Sequence, residues 1–410
     1  MRIIDATNTR AVERLLARDR RADCAFDRRV RVIVDGVRRE GDRALNRFAR
    51  RFDRVALPLE VAADEMREHA ARVPAEVRRA IAQAAAHIAR VAFRQIPKHW
   101  DLTIAPGVLV EQRVEPLARV GCYVPGGRFP LPSSLLMTAV PARVAGVREV
   151  IVVCPRPEPA VMAAALEAGV TRLFRVGGAH AVAALAYGTD TIPRVDKIVG
   201  PGNRWVAAAK AAVAADCAID VYAGPTEIVI VAGSGRASWI AADLAAQAEH
   251  DPDARAIFIT WSRPLAGSVA RQARIANGVV VLTGTAAEAI ALANRFAPEH
   301  LVVDREALAR RSLTAGAVFV GPYSAQAAGD YATGSNHVLP TSGAARFRGG
   351  LSAADFVRVM SVQRLTREGL ARLAPTILPL ARAEGLAAHA RSIEIRLGKR
   401  QHPFVGDVAE

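Results

Sequence analysis

Residues 296–303 read FAPEHLVV, and two of them, Glu299 and His300, set a carboxylate beside an imidazole inside an apolar frame. A core strand tolerates such charge only with partners. An imidazole titrates near neutrality, and a partly desolvated carboxylate becomes a better base. Side by side they could take protons from a hydroxyl and from a water.

Further groups could hold a metal. Gln247 and His250 are spaced i, i+3 in DLAAQAEHDPD and project from one face of a helix end. That is half a metal site, although a histidine at a helix C-terminus also serves as a dipole partner. Asp330 and His337 share the glycine-rich stretch GDYATGSNHVLP. Glu384 and His389 are five apart in RAEGLAAHARS, about 140° around a helix, so they need not share a face. Among the nine histidines, His250, His300, His337 and His389 stand beside acids or amides in segments framed by Gly or Pro, whereas His69, His87, His99 and His402 look like surface or packing residues. Imidazole with carboxylate oxygen suits zinc that keeps an open position.

Those groups need a scaffold. Residues 1–95 read as helical, with apolar residues recurring at three and four as in EVRRAIAQAAAHIARVAF. From about 105, apolar runs such as LARVGCYVP and REVIVVCP alternate with short helices, and Gly or Pro marks the junctions. That pattern predicts parallel sheets with crossover helices, covered on both faces. Two α/β domains follow one another, and the tail from about 351, including SAADFVRVM, reads as a small helical unit.

Ligands of parallel α/β sheets bind beyond the carboxyl ends of the strands. The loops there are rich in Gly and Pro: CYVPGGRFPLPSS (122–134), VGGAHA (176–181), VGPGNRW (199–205) and YAGPTE (222–227). Turn duty explains any one of them; together they suggest a dinucleotide or phosphate site. None is a GxGxxG fingerprint. The nearest, GSGRAS (233–238), lacks the last glycine and a matching acidic residue downstream.

Composition narrows the class. With 410 residues, 51% apolar, the chain is globular and long enough for two or three domains. No run reaches the ~18 apolar residues of a membrane span, and no secretory leader is visible, so a soluble cytoplasmic protein is expected. Cys24, Cys122, Cys154 and Cys217 are scattered without a CxxC, which argues against a disulfide framework or a structural zinc site. The net charge of +15 comes almost wholly from arginine, without a basic block or interleaved aromatics. It reads as a solvated surface rather than a nucleic-acid interface.

Over about residues 25–395 the chain resembles the histidinol dehydrogenase family. The resemblance rests on VGCYVPGG, VGGAHAVAALAYGT, DKIVGPGN, DLAAQAEHDP, APEHL, GDYATGSNHVLPT, GLSAADF and EGLAAH, in order and at similar spacing. It implies oxidation of an amino alcohol to the amino acid through the aldehyde with zinc and two NAD, as in the last step of histidine biosynthesis. By motif, Gln247, His250, Asp330 and His389 would be zinc ligands, and Glu299 and His300 the acid/base pair. Tyr123, His180 and Asn203 would contact NAD. Thr226, His337 and Glu384 would contact substrate, with His300 and the zinc ligands facing it too. The implied fold is two Rossmann-like domains (111–230 on the NAD side, 231–350 with the zinc and acid/base residues). A helical segment (1–110) packs on the second, and a small helical domain (351–410) is exchanged in a homodimer, so that His389 reaches the partner's site. Zinc has no redox chemistry, so the electrons must leave as hydride to a nicotinamide. His300 is then expected to move the hydroxyl proton and Glu299 to activate water.

The chain departs from the family pattern at named places. His180 stands where Gln is usual, Thr226 where Ser is usual, and Ala325-Gln326 where Pro-Glu is usual. Arg128 and Phe129 follow VPGG where small residues are usual, and the segment between His250 and Glu299 is shorter. An alternative reading is therefore a paralogous zinc/NAD dehydrogenase for another small polar or anionic alcohol, for which Arg128 would be a suitable contact. A non-catalytic, nucleic-acid-binding use of the scaffold would rest only on the positive charge.

Overall fold

The structure is a computed structural model that describes residues 1–17, 23–55, 57–126, 130–221, 224–249 and 253–398. It divides into two compact units, one of Met1–Ile96 with Pro116–Phe356 and one of Pro97–Glu115 with Val357–Glu410. Among the described residues no helix is long and apolar enough to cross a membrane.

The larger unit holds two parallel sheets. The first runs Arg172–Phe174, Glu149–Val153, Arg119–Tyr123, Lys197–Val199, Ala218–Ile219 from edge to edge. Its first strand in the chain lies at the centre, flanked by the second and fourth, which is the doubly wound order. The second sheet repeats that order with Val279–Leu282, Arg255–Thr260, Glu227–Val231, His300–Val303 and Ala317–Val320, and Arg2–Asp5 extends its edge beside Val279–Leu282. The repeat is one of topology and leaves no trace as a sequence repeat. The chain passes from one sheet to the other between Ile219 and Glu227.

The unbroken apolar strands follow from burial on both faces. In Glu149–Val153, Val150 and Val152 enter one core while Ile151 and Val153 enter the other. Each such side chain contributes ~1.5–3 kcal/mol by leaving water. One face is covered by helices Ala75–Gln95, Pro132–Val144 and Pro159–Glu167, the other by Cys24–Glu40, Gly178–Tyr187 and Arg204–Val213. The second sheet is covered likewise: Val229 and Ile257 face the core of helix Ala286–Phe296, Ile230 and Phe258 that of Ala237–Ala248 and Arg263–Gln272.

The N-terminal segment does not travel as one piece. Arg2–Asp5 and the helix Thr9–Leu16 pack on the second sheet, as expected for 1–110, but the helices from Cys24 to Gln95 pack on the first. The first sheet's own crossover helices leave apolar faces that these helices complete. The smaller unit adds strands to the mainly helical tail expected over 351–410. Val357–Leu365 is a strand and forms a three-stranded sheet with Val108–Pro116 and the antiparallel Trp100–Ala105, beside helices Arg367–Ala383 and Ala387–Arg396. Three β-branched residues in VRVMSVQRL, and a pairing edge far away in sequence, outweigh its local helical tendency.

Several arginines are paired with carboxylates, among them Arg119 with Glu149, Arg172 with Glu60 and Arg175 with Glu65. Part of the positive charge is thus committed within the fold.

Candidate active site

Helix Ala286–Phe296 ends at Ala297, which adopts a left-handed conformation (φ 51°), and Pro298 follows. This turn delivers Glu299 and His300 to the amino end of the strand His300–Val303. Both side chains are buried. Glu299 Oε2 accepts hydrogen bonds from the Thr226 hydroxyl (2.5 Å) and the Glu227 amide (2.9 Å). Burial outweighs these two donors and pushes the Glu299 carboxyl up to about 8. His300 Nδ1 lies 3.6 Å from Glu299 Oε2 and 3.2 Å from the Glu227 carbonyl. A carbonyl only accepts, so Nδ1 carries the hydrogen, and in the neutral ring the lone pair is then on Nε2.

The neighbours extend this pair into a chain. Gln247, in the last turn of helix Ala237–Ala248, donates from Nε2 to Thr226 Oγ1, so the Thr226 hydroxyl receives from Gln247 and gives to Glu299. Thr226 therefore keeps the hydroxyl that a serine would supply. On the other side Gln326 Nε2 lies 3.4 Å from His300 Nε2 and donates to Asp330 Oδ2 at 2.6 Å. His337 Nδ1 meets the Asp330 carbonyl at 3.1 Å. The helices carrying Gln247 and Asp330 pack together. The structure thus connects Gln247, Thr226, Glu299, His300, Gln326, Asp330 and His337 into one buried polar network. His250 lies outside the described residues. Glu384 and His389 belong to the smaller unit, where Glu384 caps helix Arg367–Ala383 and both side chains are exposed.

This network sits at the amino ends of the neighbouring strands Glu227–Val231 and His300–Val303, the opposite end from where parallel sheets usually bind ligands. The usual end belongs to the first sheet. There a cavity of about 650 Å³ opens beyond Tyr123 and the strand before Pro155, lined by Tyr123, Gly126, Arg156, His180, Asn203 and Asp53 among others. It lies at the switch point between the first and fourth strands, where a dinucleotide binds in this topology. Asn203 caps helix Arg204–Val213, its Oδ1 accepting from the Trp205 (3.0 Å) and Val206 (3.2 Å) amides. His180 Nε2 contacts Asp53 Oδ2 at 2.9 Å, and the same oxygen accepts from the Gly177 amide. The Gly178 amide donates to the Tyr123 hydroxyl. The Gly177 and Gly178 amides at this helix start are therefore already taken by protein groups. Likewise the Gly233 and Ser234 amides of GSGRAS donate to Asp304. Arg128 and Phe129 lie outside the described residues.

Sequence reasoning missed Asp53, which stands far from His180 in the chain and carries no motif. It noted Gln326 only as a departure; the signal available was its i, i+4 spacing to Asp330 on one helix.

Among the described residues no group of three His, Cys, Asp or Glu side chains gathers as a metal cage. Gln247, however, is an amide, and its Oε1 is buried without a hydrogen-bond partner in the structure. A buried acceptor left this way costs ~1–3 kcal/mol unless something fills it. A cation beside Gln247 and Asp330 would do so, and the donor set of amide oxygen and carboxylate, with the histidine two residues beyond the helix, fits zinc.

Comparison with known proteins places the whole chain in one family. The family described as histidinol dehydrogenase matches residues 16–397. The histidinol dehydrogenase of Geobacter sulfurreducens is 44% identical over 97% of this chain and 100% of its own length. That of Methylococcus capsulatus is 45% identical over 96% and 97%. The crystal structure of histidinol dehydrogenase from Elizabethkingia anophelis superposes with a TM-score of 0.93 at 30% identity, covering 97% of this chain and 98% of that one. This chain belongs to the histidinol dehydrogenase family.

Proposed function

We propose that the protein oxidises L-histidinol to L-histidine through the aldehyde, with two NAD, as the last step of histidine biosynthesis, in the cytoplasm and as a homodimer. The observation that supports this most is the buried network in which one hydroxyl, that of Thr226, ties a would-be metal ligand, Gln247, to the acid/base pair.

Zinc held by Gln247, His250, Asp330 and, from a second copy, His389 would orient and polarise the substrate oxygen. NAD in the cavity beside Tyr123, His180 and Asn203 supplies the hydride acceptor. In the first oxidation His300 takes the hydroxyl proton on Nε2, the nitrogen its hydrogen bond to the Glu227 carbonyl leaves unprotonated. In the second, Glu299 takes a proton from the water that adds to the aldehyde, helped by the basicity that burial confers. Thr226, His337 and Glu384 hold the substrate's polar groups. The alternative of another small polar alcohol is distinguished by turnover. Glu299→Gln should spare alcohol oxidation relative to aldehyde oxidation, read as single-turnover rates from histidinol and from histidinal. Equal loss of both would refute the division of roles.

A further inference from the structure

We infer that Gln326 is a positioning residue that bridges the two halves of this site, aiming the Asp330 carboxylate and fixing the ring state of His300. The inference rests on the reading of Asp330 as a metal ligand and adds a residue to it.

Gln326 is 1% exposed and opens helix Gln326–Tyr331, so its side chain and that of Asp330 share a face one turn apart. Its amide nitrogen has two hydrogens, and the structure gives each a direction: one toward Asp330 Oδ2 at 2.6 Å, one toward His300 Nε2 at 3.4 Å. The orientation of the amide follows from its neighbours. Reversed, the amide would aim its oxygen at the Asp330 carboxylate, acceptor against acceptor. It would also require a hydrogen on His300 Nε2 as well as on Nδ1, which bonds the Glu227 carbonyl. The nitrogen-inward amide gives each neighbour a donor.

The consequences fall on both partners. Asp330 Oδ2 is committed to Gln326 while Oδ1 lies 3.8 Å from His337 Nδ1, so Gln326 fixes the plane of the carboxylate; hydrogen bonds of this kind fix ligand direction and typically govern metal affinity 10- to 100-fold. At His300 the contact is long enough to yield when a substrate hydroxyl arrives, yet it favours the Nδ1–H form, with the lone pair on Nε2, beforehand. A carboxylic side chain at 326 offers at most one hydrogen and cannot serve both neighbours.

The test uses Gln326→Met, which keeps volume but has no donor, and Gln326→Glu, which keeps shape. Zinc affinity is measured by competition with a chromophoric chelator. The His300 ring is read from its ¹⁵N shifts in selectively labelled, metal-free protein. Gln326→Met should weaken zinc binding about 10- to 100-fold and lower the Nδ1–H population of His300, with NAD affinity unchanged. Gln326→Glu should move at least one readout. Zinc affinity within twofold of wild type together with an unchanged ring state would overturn the inference, and movement of only one readout in Gln326→Met would overturn the bridge. A wild type that binds no zinc overturns the metal reading instead, and the ring-state comparison then decides the role of Gln326.

Discussion

Lys210 is one of few lysines in an arginine-rich chain, and it is buried against an equally buried Asp220. Its Nζ also donates to the Gly200 carbonyl at 2.9 Å, while Asp220 accepts from the Gly200 amide (2.6 Å) and the Val221 amide (2.7 Å). Both polar groups of Gly200 are thus held by one ion pair. Gly200 has φ +114°, and a Cβ there would meet the Tyr123 carbonyl oxygen at 2.2 Å, so this clamp holds the 199–205 loop close against Tyr123, beside the cavity that Tyr123 and Asn203 line. Lys210→Met removes the cation and leaves Asp220 buried. Breaking a buried pair costs ~3–5 kcal/mol, and the two amides still facing Asp220 hold the loss near the lower bound. The orphaned Gly200 carbonyl adds about 1 kcal/mol. A total near 4 kcal/mol, at ~2 °C per kcal/mol for a large unit, lowers the melting temperature by about 8 °C. Calorimetry on wild type, Lys210→Met and Lys210→Met/Asp220→Asn checks this, with NAD titration in parallel. The double variant, free of the uncompensated charge, should recover part of the loss, and both should bind NAD more weakly. A melting temperature for Lys210→Met within ~2 °C of wild type would refute the clamp.

Other outcomes follow from burial. Glu299 holds its proton more tightly folded (about 8) than unfolded (4.5), so in metal-free protein its contribution to stability is full below 4.5 and is lost as pH rises toward 8. Melting temperatures across that window should show Glu299→Gln gaining on wild type as pH rises, and parallel curves would contradict it. Burial pushes the Cys122 and Cys154 thiols up to about 12 and that of Cys217 to about 11, whereas Cys24 is exposed. A thiol reagent at pH 8 should therefore label Cys24 alone in native protein, as peptide mapping would show, and all four cysteines after denaturation.

The sheets were legible because strands buried on both faces have no polar side, as in EVIVV and HLVV. The Glu299–His300 pair stood out for the converse reason, charge within an apolar frame. What the sequence hid was set by distant contacts. Val357–Leu365 is a strand because Val108–Pro116 offers it an edge. Asp53 matters because a helix brings it under His180. Local pattern also could not reveal that the cavity opens at the carboxyl end of the first sheet while the Glu299–His300 network lies at the amino end of the second.

The central claim is that one site carries out both oxidations. The most direct measurement is NADH formed per L-histidinol consumed by zinc-loaded protein, with and without a chelator. The account predicts two NADH per histidinol, with L-histidine as product, activity lost on chelation and restored by zinc. One NADH with histidinal accumulating, or no turnover by protein that still binds zinc and NAD, would contradict it.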